Sequence, residues 1–318
     1  MASRNAIDCL RRGFHSTRAN WGLIPMKFLG DFLFAVLLVV SFLPPILVLG
    51  GMAFLDGGWS EAAIEEWIVG LPDRLLTSVG PLVLAVLGSL VLGLLAVVVW
   101  GWFEGGLLGV LVAAERQAHP RAQDQPGGWR WFRTFTLRDF SGWGGRYVWR
   151  FFWFFHLALT VSLIFVLLLA LLVVAVVFGQ ERWGAGAAVG IGCGGLLPLL
   201  FLVLVYALWY TAAQPAVALE GSGPVRGSKL ALRVVGRRLG ASFLILLVIV
   251  VISMVVGMGF FLAQTASSLT LQEEYFVPWL VTYGLLYLFQ MAASSALSVY
   301  FLAAFGSLVV AETAEAPR

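Results

Sequence analysis

The sequence predicts an all-α, polytopic membrane helical bundle: six transmembrane helices in three pseudo-repeated hairpins, each preceded by a basic interfacial helix. Three observations predict it. The chain is 60% hydrophobic and 12% charged, about half the charged share of a soluble domain. Six apolar runs are long enough to cross a bilayer, and basic residues occupy alternate loops. We expect a single membrane domain, residues 1–318, built from modules 1–115, 116–220 and 221–318.

The apolar runs predict helices because they lack the alternating pattern of membrane barrel strands. They cover residues 28–54, 79–112, 148–178, 185–213, 241–263 and 277–310. Two runs carry a glycine at every fourth position, a spacing that lets another helix approach closely. These glycines are Gly101, Gly105 and Gly109 in the second run and Gly186, Gly190 and Gly194 in the fourth.

The distribution of charge predicts the orientation. Arg74 and Arg182 are the exceptions to a strong bias of lysine and arginine toward one side. The other basic residues lie before the first run, between runs two and three or at the start of run three, between runs four and five, or after the sixth. The other loops are acidic. By the positive-inside rule, both termini are cytoplasmic, and we expect a multi-pass protein of the bacterial inner membrane. The carboxylates of the first acidic loop, residues 55–78, suit either a divalent cation or, more simply, a solvated surface.

The repeat is visible where the even-numbered runs end. Each ends in small residues and a short aliphatic stretch, followed by Glu115, Glu220 or Glu312. Basic amphipathic segments precede the hairpins, and such helices lie among the headgroups of an anionic leaflet. The residues expected to contact headgroups are Arg11, Arg12, Arg18, Arg130, Arg133, Arg226, Lys229, Arg233 and Arg237.

Two of these basic segments have alternative interpretations. The arginine-rich start of the chain also resembles a twin-arginine signal or a mitochondrial presequence, but similar segments recur where no targeting signal can act. The aromatic and basic residues at 129–138 resemble a nucleic-acid surface. Beside a transmembrane helix, the same composition favours the membrane interface. We therefore expect lipids as partners, together with other membrane proteins, and no nucleic acid.

Glu104 is the candidate functional residue because an ionisable group inside a membrane helix is costly. It lies 11 residues before Glu115, roughly 16 Å along the helix. Its expected partners are Arg146, Arg150 and His156 at the start of the third run. Two interpretations stay open: a proton or cation relay or polar substrate contact, and a structural ion pair. For His156 a hydrogen-bonded structural role is favoured over a ligand role.

No pattern in the sequence indicates a cofactor, a metal site or a catalytic centre. The histidines are scattered, and the two cysteines, Cys9 and Cys193, lie in different places along the predicted topology. Phosphate-binding loops and nucleophile elbows are absent from the sequence. We therefore expect a protein that is not an enzyme.

One stretch resembles a known group of proteins. An aliphatic run and glutamate at 217–220 precede a glycine-containing turn at 221–224 and a basic helix at 228–239. This order resembles the membrane domain found with glycerophosphodiester phosphodiesterases, and six-span membrane proteins of the YciC type. The resemblance covers mainly residues 200–260. It implies a six-span membrane domain, and it transfers no catalytic residue because the soluble phosphodiesterase barrel is absent.

The functional prediction is an integral inner-membrane protein, non-enzymatic, which associates with lipid or scaffolds a membrane complex. The alternative is a transporter of a lipidic or small apolar substrate with Glu104 in its pathway. An intramembrane enzyme acting on lipid is a weaker third hypothesis, because it needs convergent polar groups at membrane depth.

Overall fold

A computed structural model describes residues 4–55, 79–118, 128–220, 223–271 and 276–315, and within these ranges it is helical and contains no strand. The acidic loop at 55–78 lies almost entirely outside the described residues. The α-helices are α1 (Ala6–Ala19), α2 (Leu23–Leu55), α3 (Val79–Ala118), α4 (Leu137–Trp183), α5 (Ala185–Glu220), α6 (Pro224–Arg237), α7 (Leu239–Leu271) and α8 (Phe276–Glu315), with a 3₁₀ helix at Gly128–Phe132.

Six of these helices, α2, α3, α4, α5, α7 and α8, are long and apolar enough to cross a membrane. The six predicted spans are therefore confirmed as helices of this kind. The chain forms two compact units, one comprising Leu29–Trp100 and the other Met1–Phe28 with Gly101–Arg318. The first unit holds most of α2, which continues through Pro44 and Pro45, and the first half of α3. All packing described below lies within the second unit.

The basic segment before the third span differs from the prediction. Instead of a separate interfacial helix, the chain forms the short 3₁₀ helix and then α4, which is 47 residues long. Thr136 caps α4 by accepting a hydrogen bond from the Asp139 amide, and no proline interrupts the helix after it. At 1.5 Å per residue α4 is roughly 70 Å long, more than twice the hydrocarbon thickness. Arg138, Arg146 and Arg150 therefore occupy its first turns.

A single residue, Gly184, joins α4 to α5. Its φ of 85° lies in the left-handed region that glycine adopts without steric cost. Helix α5 then reaches Glu220, as the sequence predicts, although Pro198 and Pro215 lie inside it. Pro224 occupies the first turn of α6, where its missing N–H costs nothing.

Packing is tightest at the C-terminal ends of α3, α5 and α8, residues 107–118, 208–220 and 299–312, which we call the glutamate ends. Most described side chains in these stretches are buried. Helix α1 packs on the glutamate end of α8, and α6 packs on that of α5. Small residues make these contacts possible: a Cβ on Gly13 would lie 2.9 Å from Ala304 Cβ, and one on Gly227 would lie 2.5 Å from Val217 Cγ2.

Only one of the two predicted glycine ridges is a close packing surface. On α3, an added Cβ would lie 3.0 Å from the Val148 carbonyl oxygen at Gly101 and 2.5 Å from Trp143 Cβ at Gly109, so the ridge contacts α4. On α5 the prediction is wrong, because an added Cβ at the predicted glycines would meet nothing within 4 Å. Gly195 faces α4 instead, where a Cβ would lie 2.3 Å from Leu172 Cδ1.

Asn20 joins the start of the chain to the segment that leads into α4. Its Nδ2 donates to the carbonyl oxygens of Ser16 (3.0 Å) and Phe132 (2.7 Å). Its Oδ1 accepts from the amides of Thr134 (2.9 Å) and Phe135 (2.8 Å). The side chain is fully buried and uses both donors and both acceptor positions. It therefore holds in place the end of the 3₁₀ helix and the non-helical residues that follow it.

We expect Asn20→Ala to lower the free energy of unfolding strongly. The substitution leaves buried amides and carbonyls without partners, at about 1–3 kcal/mol for each group. Unfolding by SDS titration in mixed micelles measures the loss. Asn5→Ala is the matched control, because Asn5 only caps α1 at an exposed position, a contact that contributes about 1 kcal/mol. Equal losses in both variants would contradict the role assigned to Asn20.

Candidate functional site

The most enclosed charge cluster lies around Glu115, at the end of α3. Glu115 Oε1 accepts hydrogen bonds from Arg4 Nη1 at 2.6 Å and Arg12 Nε at 2.9 Å. The exposed fraction of the Glu115 side chain is 3%, and both arginines are nearly as buried. Arg4 Nη1 also donates to the carbonyl and hydroxyl oxygens of Ser307 on α8. One carboxylate therefore connects α1, α3 and α8.

Burial shifts the pKa of three groups on α1. It lowers the pKa of the Arg12 guanidinium, although Glu115 opposes the shift. It raises the pKa of the Cys9 thiol from 9.0 to about 11, so at neutral pH Cys9 is a protonated, unreactive thiol. Burial also lowers the pKa of His15, and the neighbouring Arg11, Arg18 and Arg12 reinforce this effect. None of these environments activates a nucleophile.

A second carboxylate, that of Glu312, lies near the C-terminal end of α8. Its two oxygens accept from Arg237 Nη1 at 3.0 Å and Arg238 Nε at 3.1 Å, both at the junction of α6 and α7. This pair is more accessible than the first, since the Arg237 side chain is 61% exposed. At the third glutamate end, Arg116 Nη2 of α3 donates to the Leu219 carbonyl oxygen of α5 at 2.9 Å. The Glu220 side chain lies outside the described residues.

Glu104 is buried, as the sequence indicates, and its ion-pair partner is Lys27 of α2. Lys27 Nζ donates to Glu104 Oε1, and the side chains are 11% and 3% exposed. The sequence alone does not predict this pairing, because the two residues are distant in sequence and lie on two different helices, α2 and α3. The contact favours the structural interpretation of Glu104.

The three partners expected for Glu104 make other contacts. The guanidinium of Arg146 lies 5.5 Å from the Trp143 ring centroid, and that of Arg150 lies 5.0 Å from Tyr147. His156 Nδ1 donates to the Phe152 carbonyl oxygen at 2.8 Å, within its own helix. These contacts are cation–π and local helix interactions.

Most of the residues expected at the headgroups are exposed, and two have a structural role. Arg12 lies inside the protein on Glu115, which corrects its placement at the headgroups. Arg237 is exposed but also binds Glu312. Both serve the buried carboxylates, which need positive charge close by. The exposed members are Arg11, Arg18, Arg130, Arg133, Arg226, Lys229 and Arg233. Among them, Arg18 and Arg130 lie 5.3 Å and 5.8 Å from the ring centroid of Trp129.

Helices α1 and α6 each have three faces rather than two. Their small residues, such as Gly13 and Gly227, face the protein. On the surface, both helices expose basic residues, although Arg12 of α1 is buried. A third face exposes large apolar residues spaced seven apart, whereas Leu230, Val234 and Val235 of α6 are buried against the protein. These exposed apolar residues are Ile7, Phe14 and Trp21 on and just after α1, and Val225, Leu232 and Leu239 on and just after α6. The amphipathic pattern groups Val235 with Val225, Leu232 and Leu239, but Val235 is buried and the other three are exposed among the described residues.

A cavity of about 440 Å³ lies between α5, α7 and α8. Its polar lining is neutral and comprises Thr211, Gln214, Ser253, Gln290, Ser294 and Ser298. Its apolar lining comprises Leu246, Ile249, Val256, Leu297, Phe301 and Leu302, with Tyr210 and Gly257 completing the wall. Glu104 is not part of this wall. The volume is in the range of small-molecule sites, and the sequence gives no sign of it because the wall comes from three separate helices.

Comparison with models of protein families, with curated proteins and with solved structures found no match to this chain. The function is therefore inferred from the residues and geometry described above: the buried ion pairs of Glu115 and Glu104, the more exposed ion pairs of Glu312, the two helices with three faces, and the neutral cavity.

We expect the Lys27–Glu104 pair to behave as a buried structural ion pair. Lys27→Met and Glu104→Gln should each lower the free energy of unfolding by about 3–5 kcal/mol, because each removes the opposite charge from a buried ion pair. The double variant Lys27→Met/Glu104→Met should recover most of that loss. SDS titration of all variants measures the coupling. Asp8→Asn, in the exposed Asp8–Arg11 pair, is the control and should change stability little.

We expect Glu115→Gln to be more destabilising than Glu312→Gln. The first leaves two enclosed guanidinium groups without an anion, a loss of about 3–5 kcal/mol. In the second, Arg237 and Arg238 can reach solvent, so the loss is smaller. The same unfolding titration ranks the two variants. A larger loss for Glu312→Gln would contradict the central place given to Glu115.

Proposed function

We propose that this integral membrane protein is non-enzymatic and associates with lipid, holding an anionic leaflet through the exposed basic residues of α1 and α6. One observation carries the proposal. On both helices, exposed arginine or lysine side chains lie beside exposed large apolar side chains that the described protein does not cover. In water the apolar face would be unfavourable, whereas at a bilayer surface it enters the acyl region while the cations meet phosphate.

On α6, Arg226, Lys229 and Arg233 are exposed beside Val225 and Leu232. On α1, Arg11 and Arg18 are exposed beside Ile7 and Phe14. The small-residue faces are already occupied by α5 and α8, so they cannot serve a partner. The exposed apolar face suits the acyl region of a bilayer, and the exposed basic face suits the phosphates. This match supports the same orientation of α1 and α6 relative to the membrane surface.

We propose further that the chain consists of three related modules whose amphipathic segments close a ring. Helix α6 of the third module packs on α5 of the second, and α1 of the first packs on α8 of the third. The segment that begins the second module contacts α3 of the first, where Thr134 Oγ1 donates to the Val110 carbonyl oxygen. Each segment thus packs on the last span of the preceding module, as a cyclic repeat requires.

The proposal also covers the orientation of the chain in the membrane and the membrane in which it lies. Glu115, Glu312 and the basic helices lie at the ends of even-numbered spans, on the side that the positive-inside rule assigns to the cytoplasm. We propose a multi-pass protein of the bacterial inner membrane with both termini in the cytoplasm. The resemblance of residues 200–260 to the phosphodiesterase-associated and YciC-type membrane domains stays a hypothesis. It agrees with the order of α5, turn, basic α6 and α7.

A transporter of a lipidic substrate is the second candidate function. The observation that favours it is the neutral cavity between α5, α7 and α8, rather than Glu104, which binds Lys27. Scaffolding of a membrane complex is compatible with the same exposed surfaces. The leaflet contact is tested first, because it is common to all of these roles.

We expect glutamine substitutions at Arg11, Arg18, Arg226, Lys229 and Arg233 to weaken selection of anionic lipid. Each basic residue near an anionic surface contributes about 1 kcal/mol, so retention of phosphatidylglycerol relative to phosphatidylcholine should fall about tenfold or more. Native mass spectrometry of protein released from mixed nanodiscs measures the bound ratio. Arg182→Gln removes an exposed arginine at the other end of α4 and should leave the ratio unchanged. An unaltered ratio in the variant with all five substitutions would refute the contact of these residues with an anionic leaflet.

A further inference from the structure

We propose that the cavity between α5, α7 and α8 binds an uncharged lipid of the diacylglycerol class. The site is formed by the second unit alone, and the functions proposed above do not say what it binds. This inference deepens the lipid association proposed above but rests on different residues. The exposed arginines of α1 and α6 contact an anionic leaflet, whereas the cavity wall is neutral.

The position of the cavity places it at membrane depth. Gln214 lies six residues before the end of α5, and Gln290 lies 22 residues before Glu312 on α8. With a rise of 1.5 Å per residue, these positions are roughly 9 Å and 33 Å from the glutamate ends of their helices. The wall therefore runs through much of the hydrocarbon layer. A hydroxyl or amide that faces hydrocarbon there loses hydrogen bonding, so a polar wall implies a polar occupant.

The chemistry of the wall selects an uncharged occupant. None of the described residues that line the cavity is charged, and its hydrogen-bonding groups are hydroxyls and amides. A phosphate or carboxylate bound there would be buried without a counter-charge, which is costly at membrane depth. A glycerol hydroxyl and ester carbonyls need only the hydroxyls of Ser294 and Ser298 and the amide of Gln214. The neutral headgroup therefore fits, and an ionised one does not.

The rest of the wall suits an acyl chain. Ile249, Val256 and Leu297 line the cavity together with Phe301. An apolar chain can bury its surface against these side chains while the headgroup reaches the hydroxyls. Ligand sites commonly combine an apolar wall with a few polar groups that fix the orientation of the ligand. Gln264 Nε2 of α7 donates to Gln290 Oε1 of α8 at 3.1 Å, which holds the two helices together at one end of the cavity.

The test uses the full-length protein in nanodiscs and two photoreactive lipids with the same diazirine-labelled acyl chains. One is diacylglycerol, and the other is phosphatidic acid, which differs by the phosphate. We expect diacylglycerol to label peptides of α5, α7 and α8 that line the cavity, with about tenfold less label from phosphatidic acid at the same peptides. Equal labelling by both lipids would overturn the proposal, as would labelling confined to the outer surface of the helices.

Two glycines of α7 provide a matched pair of variants. Gly257 lines the cavity and Gly259 does not, and an added Cβ meets nothing within 4 Å at either position. Gly257→Leu should fill the cavity and reduce diacylglycerol labelling of its wall about tenfold, whereas Gly259→Leu should retain it. Undiminished labelling of Gly257→Leu would show that the lipid binds elsewhere.

A second pair separates loss of the ligand from loss of the fold. Gln290→Leu and Gln264→Leu both remove the hydrogen bond between α7 and α8, but only Gln290 lines the cavity. We expect diacylglycerol labelling to fall in Gln290→Leu and to persist in Gln264→Leu at matched thermal stability. Equal loss in both would assign the effect to helix packing and refute the site. The exposed-arginine variants above should leave this labelling unchanged, so failure of the leaflet contact and failure of the cavity are distinguishable.

Discussion

The arrangement of the helices depends on one buried carboxylate, Glu115 at the end of α3. The C-terminus of a helix already carries a partial negative charge, so a buried glutamate there requires cations close by. Arg12 of α1 and Arg4, just before that helix, supply them. Because Arg4 also binds Ser307, the same contact fixes α1 against α8. Asn20 then holds the segment before α4, and Lys27 neutralises Glu104. A local need for charge balance thus organises four helices.

Close packing elsewhere follows from small residues rather than from large apolar ones. In lipid, burying a leucine against protein gains little, since the acyl chains are equally apolar, whereas van der Waals contact between closely approaching helices does stabilise association. This explains why Gly13, Gly109 and Gly227 lie at the tight contacts. It also explains why most large apolar side chains of the spans, such as Leu167, Leu197 and Val255, are exposed.

The sequence allowed the spans and the helix ends to be predicted, because both depend on local composition. Glu115, Glu220 and Glu312 lie at or near helix ends as expected. The partner of Glu104 could not be predicted, since a pairing between α2 and α3 depends on how the helices are placed. The headgroup role of Arg12 was wrong for a related reason. Helical periodicity indicates which residues share a face, but in a membrane protein it does not show which face meets protein, lipid or headgroups.

The separation of charge from the cavity bears most directly on function. At the glutamate ends the described carboxylates are paired with arginines, and Glu104 is paired with Lys27, so these groups stabilise the fold and are poorly suited to carry a charged substrate. Between α5, α7 and α8 the wall offers hydroxyls and amides without a charge. A wall whose described residues carry no charge at neutral pH is poorly suited to couple binding to a proton, and it would favour a neutral lipid over a phosphorylated one. The residue that composition singles out, Glu104, is thus better explained as structural, and the specificity of the protein is better sought in Gln214, Ser294 and Ser298.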